Sequence, residues 1–109
     1  MKLQSNQLLL NEQGQIIMGS GRMAIFESLL HTGSMNRTAR ELNMAYKTVW
    51  NKVKTTEKHL GSPVVAADKK SGTRLTPEGI RLLEKYRKLK QRCIQADDRI
   101  FQAIFSDSG

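Results

Sequence analysis

Residues 34–60 read SMNRTARELNMAYKTVWNKVKTTEKHL, and their spacing predicts two helices joined by a very short turn. In the first, Ala39 and Leu42 face inward, and Ala39 is small enough to let a second helix cross closely. Asn43 stands where the chain must stop and bend; after Gly, Asn is the residue that best tolerates left-handed dihedrals. Met44 is an apolar plug after the turn. A second helix starts from about Ala45, and at about 100° per residue Tyr46, Val49, Trp50, Val53 and Leu60 share one face, predicted to be buried. Lys47, Asn51, Lys54 and Lys58 share the opposite face, with Thr48 and Thr55 beside them. Asn and Lys reach base edges in a major groove, while Lys and Thr reach phosphates. The pair reads as a helix-turn-helix. A Lys-rich face taken alone is equally a solvated surface, and short-turn helix pairs occur in many bundles.

The charge distribution favours the first reading. Eighteen Lys and Arg against ten Asp and Glu give a net charge of +8 and a pI near 10.0. Between Arg37 and Arg92 stand 15 basic and 5 acidic residues, so the positive charge gathers on the helix pair and the residues after it. That points to a polyanionic partner, either nucleic acid or an anionic membrane surface. No apolar run approaches membrane-spanning length, and no secretory signal is recognisable, so the expected location is the cytoplasm. The single Cys excludes an internal disulfide framework and a cysteine zinc site. A chain of 109 residues has room for one domain with one modest core.

Outward from the helix pair, residues 8–18 read as an N-terminal hairpin, with Leu8-Leu9-Leu10 and Ile16-Ile17-Met18 joined through Gly14. Gly19-Ser20-Gly21 lacks the Lys-Ser/Thr ending of a nucleotide loop and reads as a loop with Ser20 as N-cap. The first helix is predicted from about Arg22 to His31, with Ile25, Phe26, Leu29 and Leu30 as its apolar stripe. Gly33 ends it and Ser34 caps the next, completing a three-helix core over 22–60. His31 and His59 have no acidic or Cys neighbour in sequence and are read as structural or surface residues. Residues 64–75 then form a hairpin with a basic connection, a wing that lays Lys69 and Lys70, with Arg74, against a sugar-phosphate backbone. Thr76, Pro77 and Glu78 are an N-cap, a first-turn Pro and an acid at the positive end of a long helix over 77–105. That helix would span roughly 45 Å, too long to pack wholly on so small a domain. Leu82, Tyr86, Leu89, Cys93, Ala96, Ile100 and Ala103 follow a heptad seam, widened by Ile94, Phe101, Ile104 and Phe105. The seam is read as a dimerisation surface, with Cys93 a small buried hydrophobe.

The order GSGR, helix, HTGS, RELNMAYKTVW and a wing closing on GTRLTPEG resembles the N-terminal domain of ModE-type molybdate-responsive regulators. It is similar, more distantly, to LysR-type winged helix-turn-helix domains. The match runs from about Leu8 to Leu89, with Gly33-Ser34, Ala39, Met44, Tyr46-Lys47 and Trp50 at its centre and Leu75-Thr76 with Gly79 at the wing exit. The resemblance implies a dimeric DNA-binding domain whose recognition helix begins near Ala45, paired through the long last helix and the N-terminal hairpin. Two positions depart from the pattern. The family often has Ser where Ala45 stands, and its Gly-rich wing tip is here Lys69-Lys70-Ser71-Gly72. Oxyanion-binding domains are not among these residues, so molybdate sensing is not carried over.

The resulting expectation is a mainly α winged helix-turn-helix with small β hairpins, a single domain over 1–109. It would act as a dimeric, sequence-specific regulator of transcription on double-stranded DNA. Lys47, Thr48 and Asn51 are the base readers. Arg37, Lys54, Thr55, Lys58, Lys69, Lys70 and Arg74 are the phosphate contacts, and Leu82, Tyr86, Leu89, Cys93, Ile100, Phe101 and Ile104 the dimerisation set. No cofactor, metal, membrane partner or small-molecule effector is expected within this chain. No paired carboxylate, Cys-His or Ser-His-Asp constellation suggests an enzyme. A protein-interaction module on the same fold is the alternative. RNA binding is disfavoured, because Tyr46 and Trp50 are predicted to face inward rather than to stack on bases.

Overall fold

The computed structural model describes residues 1–70 and 72–106; Ser71 in the expected wing tip, and residues 107–109 of the expected domain, lie outside the described residues. The chain begins with a two-stranded antiparallel hairpin, β1 (Leu9–Leu10) and β2 (Ile16–Met18). Asn11 shapes its turn by accepting the Gln13 and Gln15 amides on Oδ1, while Gly14 takes a φ of 80°. The α1 helix (Ser20–Thr32) starts earlier than its sequence suggests. Gly19, not Ser20, is its N-cap, and no side chain caps it. Gly19 is buried with Leu8 Cδ2 only 3.1 Å from where a β-carbon would stand, and the Ser20 hydroxyl accepts instead from Lys90 Nζ at 2.9 Å.

The buried stripe of α1 is Ile25, Phe26, Ser28 and Leu29; Leu30, expected in it, is exposed. Ser28 takes the inward place because its hydroxyl is satisfied there, donating to the Glu41 carboxylate and accepting from Thr38 Oγ1 at 3.0 Å across the next helix, and Leu30 is left facing outward. Gly33 ends α1 in the left-handed region (φ 64°), its N–H bonded to Leu29 O. Ser34 Oγ then accepts the Arg37 amide and caps α2 (Met35–Glu41). Ala39 is buried at the crossing, and Asn43 makes the bend with a φ of 54°, both as the sequence predicts. The α3 helix (Tyr46–Leu60) comes next, burying Val49, Val53 and Thr56.

The wing consists of β3 (Val65–Asp68) and β4 (Gly72–Leu75), antiparallel from Val65 opposite Leu75 to Asp68 opposite Gly72. Its root is tied to α3 by Glu57, whose Oε2 accepts the Val64 and Val65 amides at 2.9 and 3.3 Å. Its far strand is tied to the α1–α2 turn, where the Thr73 N–H donates to Gly33 O at 3.0 Å. Gly72 lies against the same carbonyl, with a φ of 82°, so a side chain has neither the space nor the conformation there.

Thr76 and Pro77 open α4 (Pro77–Phe105), with Thr76 Oγ1 accepting the Gly79 amide. The heptad expectation for this helix divides in two. Leu83, outside the predicted seam, and Tyr86, within it, are buried in the chain's own core, and the Tyr86 hydroxyl donates to Gln7 O at 2.6 Å. Tyr86 is therefore a core residue and not part of an exposed dimerisation surface. Arg87 pairs with Glu27 of α1 at 2.6 Å, and Lys90, one turn on, with Ser20, the further ties of α4 to the body. Beyond Cys93 the helix projects: Ile100 and Ile104 are 58% and 68% exposed, and the molecule measures 62 × 30 × 21 Å. Met18, Ile25, Phe26, Leu29, Met35, Ala39, Val49, Val53, Val65, Leu75, Leu83 and Tyr86 meet in one core fed by β2, the four helices and both wing strands, with the partly buried Leu9 of β1 packed against it. The architecture is a winged helix-turn-helix carrying a long C-terminal helix.

Candidate nucleic-acid interface

A helix 15 residues long with three buried side chains leaves most of its circumference outside. On α3 that outer surface carries Lys47, Thr48, Asn51, Lys54 and Lys58, of which all are exposed. Lys47, Asn51 and Lys58 form one row along the axis, as their spacing of four and seven residues requires. Lys47 and Asn51 are both exposed, and no acidic residue stands in the helix's first turn to neutralise the lysine. The arrangement presents donors, and an amide that both donates and accepts, at the end of the helix nearest the α2–α3 bend.

A second row lies beside this one, away from where the periodicity puts it. Tyr46 and Trp50 are 48% and 43% exposed, not buried. The buried arc is centred on Val49, Val53 and Thr56, and at about 100° per residue the two aromatics stand roughly 50–90° round from it. The arc shifts because Thr56, polar in sequence, is fully buried: its hydroxyl donates to Ile17 O of β2 at 2.9 Å and so costs little to enclose. Tyr46 borders a hollow with Asn36, Ala39, Arg40 and Met44 of the neighbouring α2 region. Lys54 Nζ sits 5.8 Å from the centre of the Trp50 ring and 3.2 Å from Glu57 Oε1.

The phosphate candidates are dispersed over three elements. Arg37 is exposed on α2, Lys54 and Lys58 on α3, and Lys69 and Lys70 on the wing turn. Arg74 is exposed on β4 but lines a hollow with Leu30, His31 and Ile80 at the end of α1, away from the wing turn. The Thr55 hydroxyl is already engaged, donating to Asn51 O at 2.9 Å and accepting from Arg22 Nη2 at 3.1 Å. Arg22 carries no signal in the sequence: it reaches from α1 to both Thr55 and Thr56 and fixes α3 in rotation. Partial burial pulls its guanidinium below the usual arginine value.

His31 also has an acidic partner that sequence distance hid. Its Nε2 lies 2.9 Å from Glu41 Oε1 and its Nδ1 2.9 Å from Glu27 O. Both neighbours are acceptors, so both nitrogens donate best as imidazolium; the bond to the Glu41 carboxylate raises His31 above the ordinary 6.5. His59, in contrast, faces Ile16 O through Nδ1 at 2.7 Å and, with Asn11 Nδ2 on His59 O, docks the N-terminal hairpin on the end of α3. Among the described residues no three His, Cys, Asp or Glu side chains gather as a metal site, and no helix is long and apolar enough to cross a membrane.

Residues 21–80 match the family described as bacterial regulatory helix-turn-helix protein, lysR family. Two curated proteins are similar to this chain. The molybdenum-pterin-binding protein MopB of Rhodobacter capsulatus is 36% identical over 73 residues, which is 63% of this chain and 27% of that protein. The molybdenum transport protein ModE of Azotobacter vinelandii is 28% identical over 92 residues, 81% of this chain and 34% of that one. The chain thus spans about a third or less of the length of these relatives. Among solved structures, a CbnR DBD–DNA complex superposes with a TM-score of 0.66 at 22% identity, covering 80% of this chain and 99% of that one. A BenM DBD complex with catB site 1 DNA gives 0.63 at 20%, covering 84% and 100%. At such identities these likenesses establish the fold.

Proposed function

Because the chain belongs to the bacterial regulatory helix-turn-helix proteins of the lysR family, we propose that it is a transcription regulator that binds duplex DNA sequence-specifically as a dimer. The observation that carries this reading is the outer surface of α3, where Lys47, Thr48 and Asn51 stand exposed beside the α2–α3 bend. Recognition helices of this motif read bases from their N-terminal residues. Asn51 pairs bidentately with adenine and Lys47 donates to guanine O6 and N7. Arg37, Lys54, Lys58, Lys69, Lys70 and Arg74 hold the backbone; Thr55 is a weaker candidate than its position suggested, since Arg22 and Asn51 O already use its hydroxyl. Two solved structures sharing the fold are complexes with DNA, which supports the assignment. Pairing falls to the exposed Leu89 of α4 and to its projecting part, through Ile100, Phe101 and Ile104, with the half-covered Leu82 and Cys93 alongside. Such a regulator works where its DNA lies, in the cytoplasm.

The test compares Lys47→Ala and Asn51→Ala with the parent on a duplex selected from random sequence and on a scrambled one. Each substitution is expected to cost about 1–3 kcal/mol on the selected duplex and little on the scrambled one, with unchanged melting. Equal weakening on both duplexes would remove α3 from the reading role.

A further inference from the structure

Two large aromatic side chains half-exposed side by side on an otherwise polar helix face call for a reason, because each leaves apolar ring surface in water. They are not scattered. Tyr46, Trp50 and Lys54 are spaced four apart and make a single row that Lys58 continues, beside the one that holds Lys47 and Asn51. Lys54 Nζ lies 5.8 Å from the centre of the indole ring and is itself held by Glu57, which steadies Trp50 in its outward pose with much of its surface still in solvent. No acidic residue interrupts this surface before Glu57, and exposed Lys47, Lys54 and Lys58 make it cationic. A partner must therefore be anionic around the aromatics yet offer an apolar spot to them. A duplex major groove does both: its rims are phosphates, and each thymine projects a C5-methyl group into it.

Resting on the DNA-binding reading above, we propose that Trp50, assisted by Tyr46, is a specificity-determining residue that recognises thymine methyl groups beside the bases read by Lys47 and Asn51. The contact needs no hydrogen bond, so it adds discrimination that the polar row cannot supply: a methyl distinguishes thymine from cytosine and from uracil. Trp50 is the only tryptophan in the chain, so its emission reports this surface alone.

The test uses the 109-residue chain and its selected duplex, with each thymine replaced singly by deoxyuridine, which deletes the methyl and keeps every hydrogen-bonding group. The parent is expected to lose about fourfold in affinity at one or two positions, the worth of one methyl-sized apolar group. Trp50→Ala is expected to bind the thymine and deoxyuridine duplexes equally at those positions, and Trp50→Phe to retain a reduced preference. The emission of Trp50 is expected to quench on the selected duplex. Parent protein that binds the selected duplex but is indifferent to every deoxyuridine overturns the inference alone, as does Trp50→Ala with the parent's preference intact. The parent arm needs no variant to fold. Failure to bind any duplex overturns the DNA-binding reading, and this inference with it.

Discussion

Glu57 shows how much one side chain can join. With its side chain only 16% exposed, it takes Lys54 on one oxygen and the Val64 and Val65 amides on the other, fixing where the wing leaves α3. Glu57→Ala strands both amides in a half-buried place and is expected to destabilise the fold by about 1–3 kcal/mol, read by urea unfolding. Glu57→Gln keeps one accepting oxygen and is expected to recover part of that loss. In sequence Glu57 is merely an acid in a basic helix; its role depends on the chain returning past it after Gly61, which no local pattern encodes. Trp50 departs from its helical wheel for a related reason. A wheel ranks residues by apolarity and assigns the aromatic inward, but Thr56 outranks it once Ile17 O supplies an acceptor for its hydroxyl. The expected cost of Trp50→Ala falls accordingly, well below the roughly 3–5 kcal/mol of a fully buried aromatic.

Element boundaries that rest on a local physical demand were legible in advance. Asn43 at positive φ, Gly33 before a capping Ser34, and Thr76 before Pro77 each satisfy a backbone group or dihedral within a few residues of themselves. The use of a helix face was less legible, because a heptad satisfies a core and a partner helix alike. In α4 the core takes Leu83 and Tyr86, and only the distal part of the pattern is left over. Leu3, Ser5 and Asn6 border that distal surface with Ile100, Phe101 and Ile104, so the start of the chain lies along the proposed pairing helix. Ile100→Asp places a charge in this apolar strip without touching the core. It is expected to give monomers in sedimentation, with an unchanged core by near-UV circular dichroism, and to weaken operator binding as two linked half-site contacts become one. A variant that stayed dimeric would move the interface off α4.

For the molecule as a whole, cations outnumber anions on α2, α3, the wing and the first half of α4, and so act on a duplex from several elements at once. If a dimer neutralises about 6–10 phosphates, log K is expected to fall against log salt with a slope of roughly −5 to −9, measured by titration on the selected duplex. A slope near zero would show that these charges do not face DNA. Holding such charges at fixed separations is a mechanical task, and it converges on Gly33. Its N–H closes the last turn of α1 on Leu29 O, and its carbonyl receives the Thr73 amide of the wing. The two hydrogen bonds meet on one residue, so fraying at the end of α1 is expected to loosen the far strand of the wing as well, a linkage that amide hydrogen exchange at Gly33 and Thr73 would read.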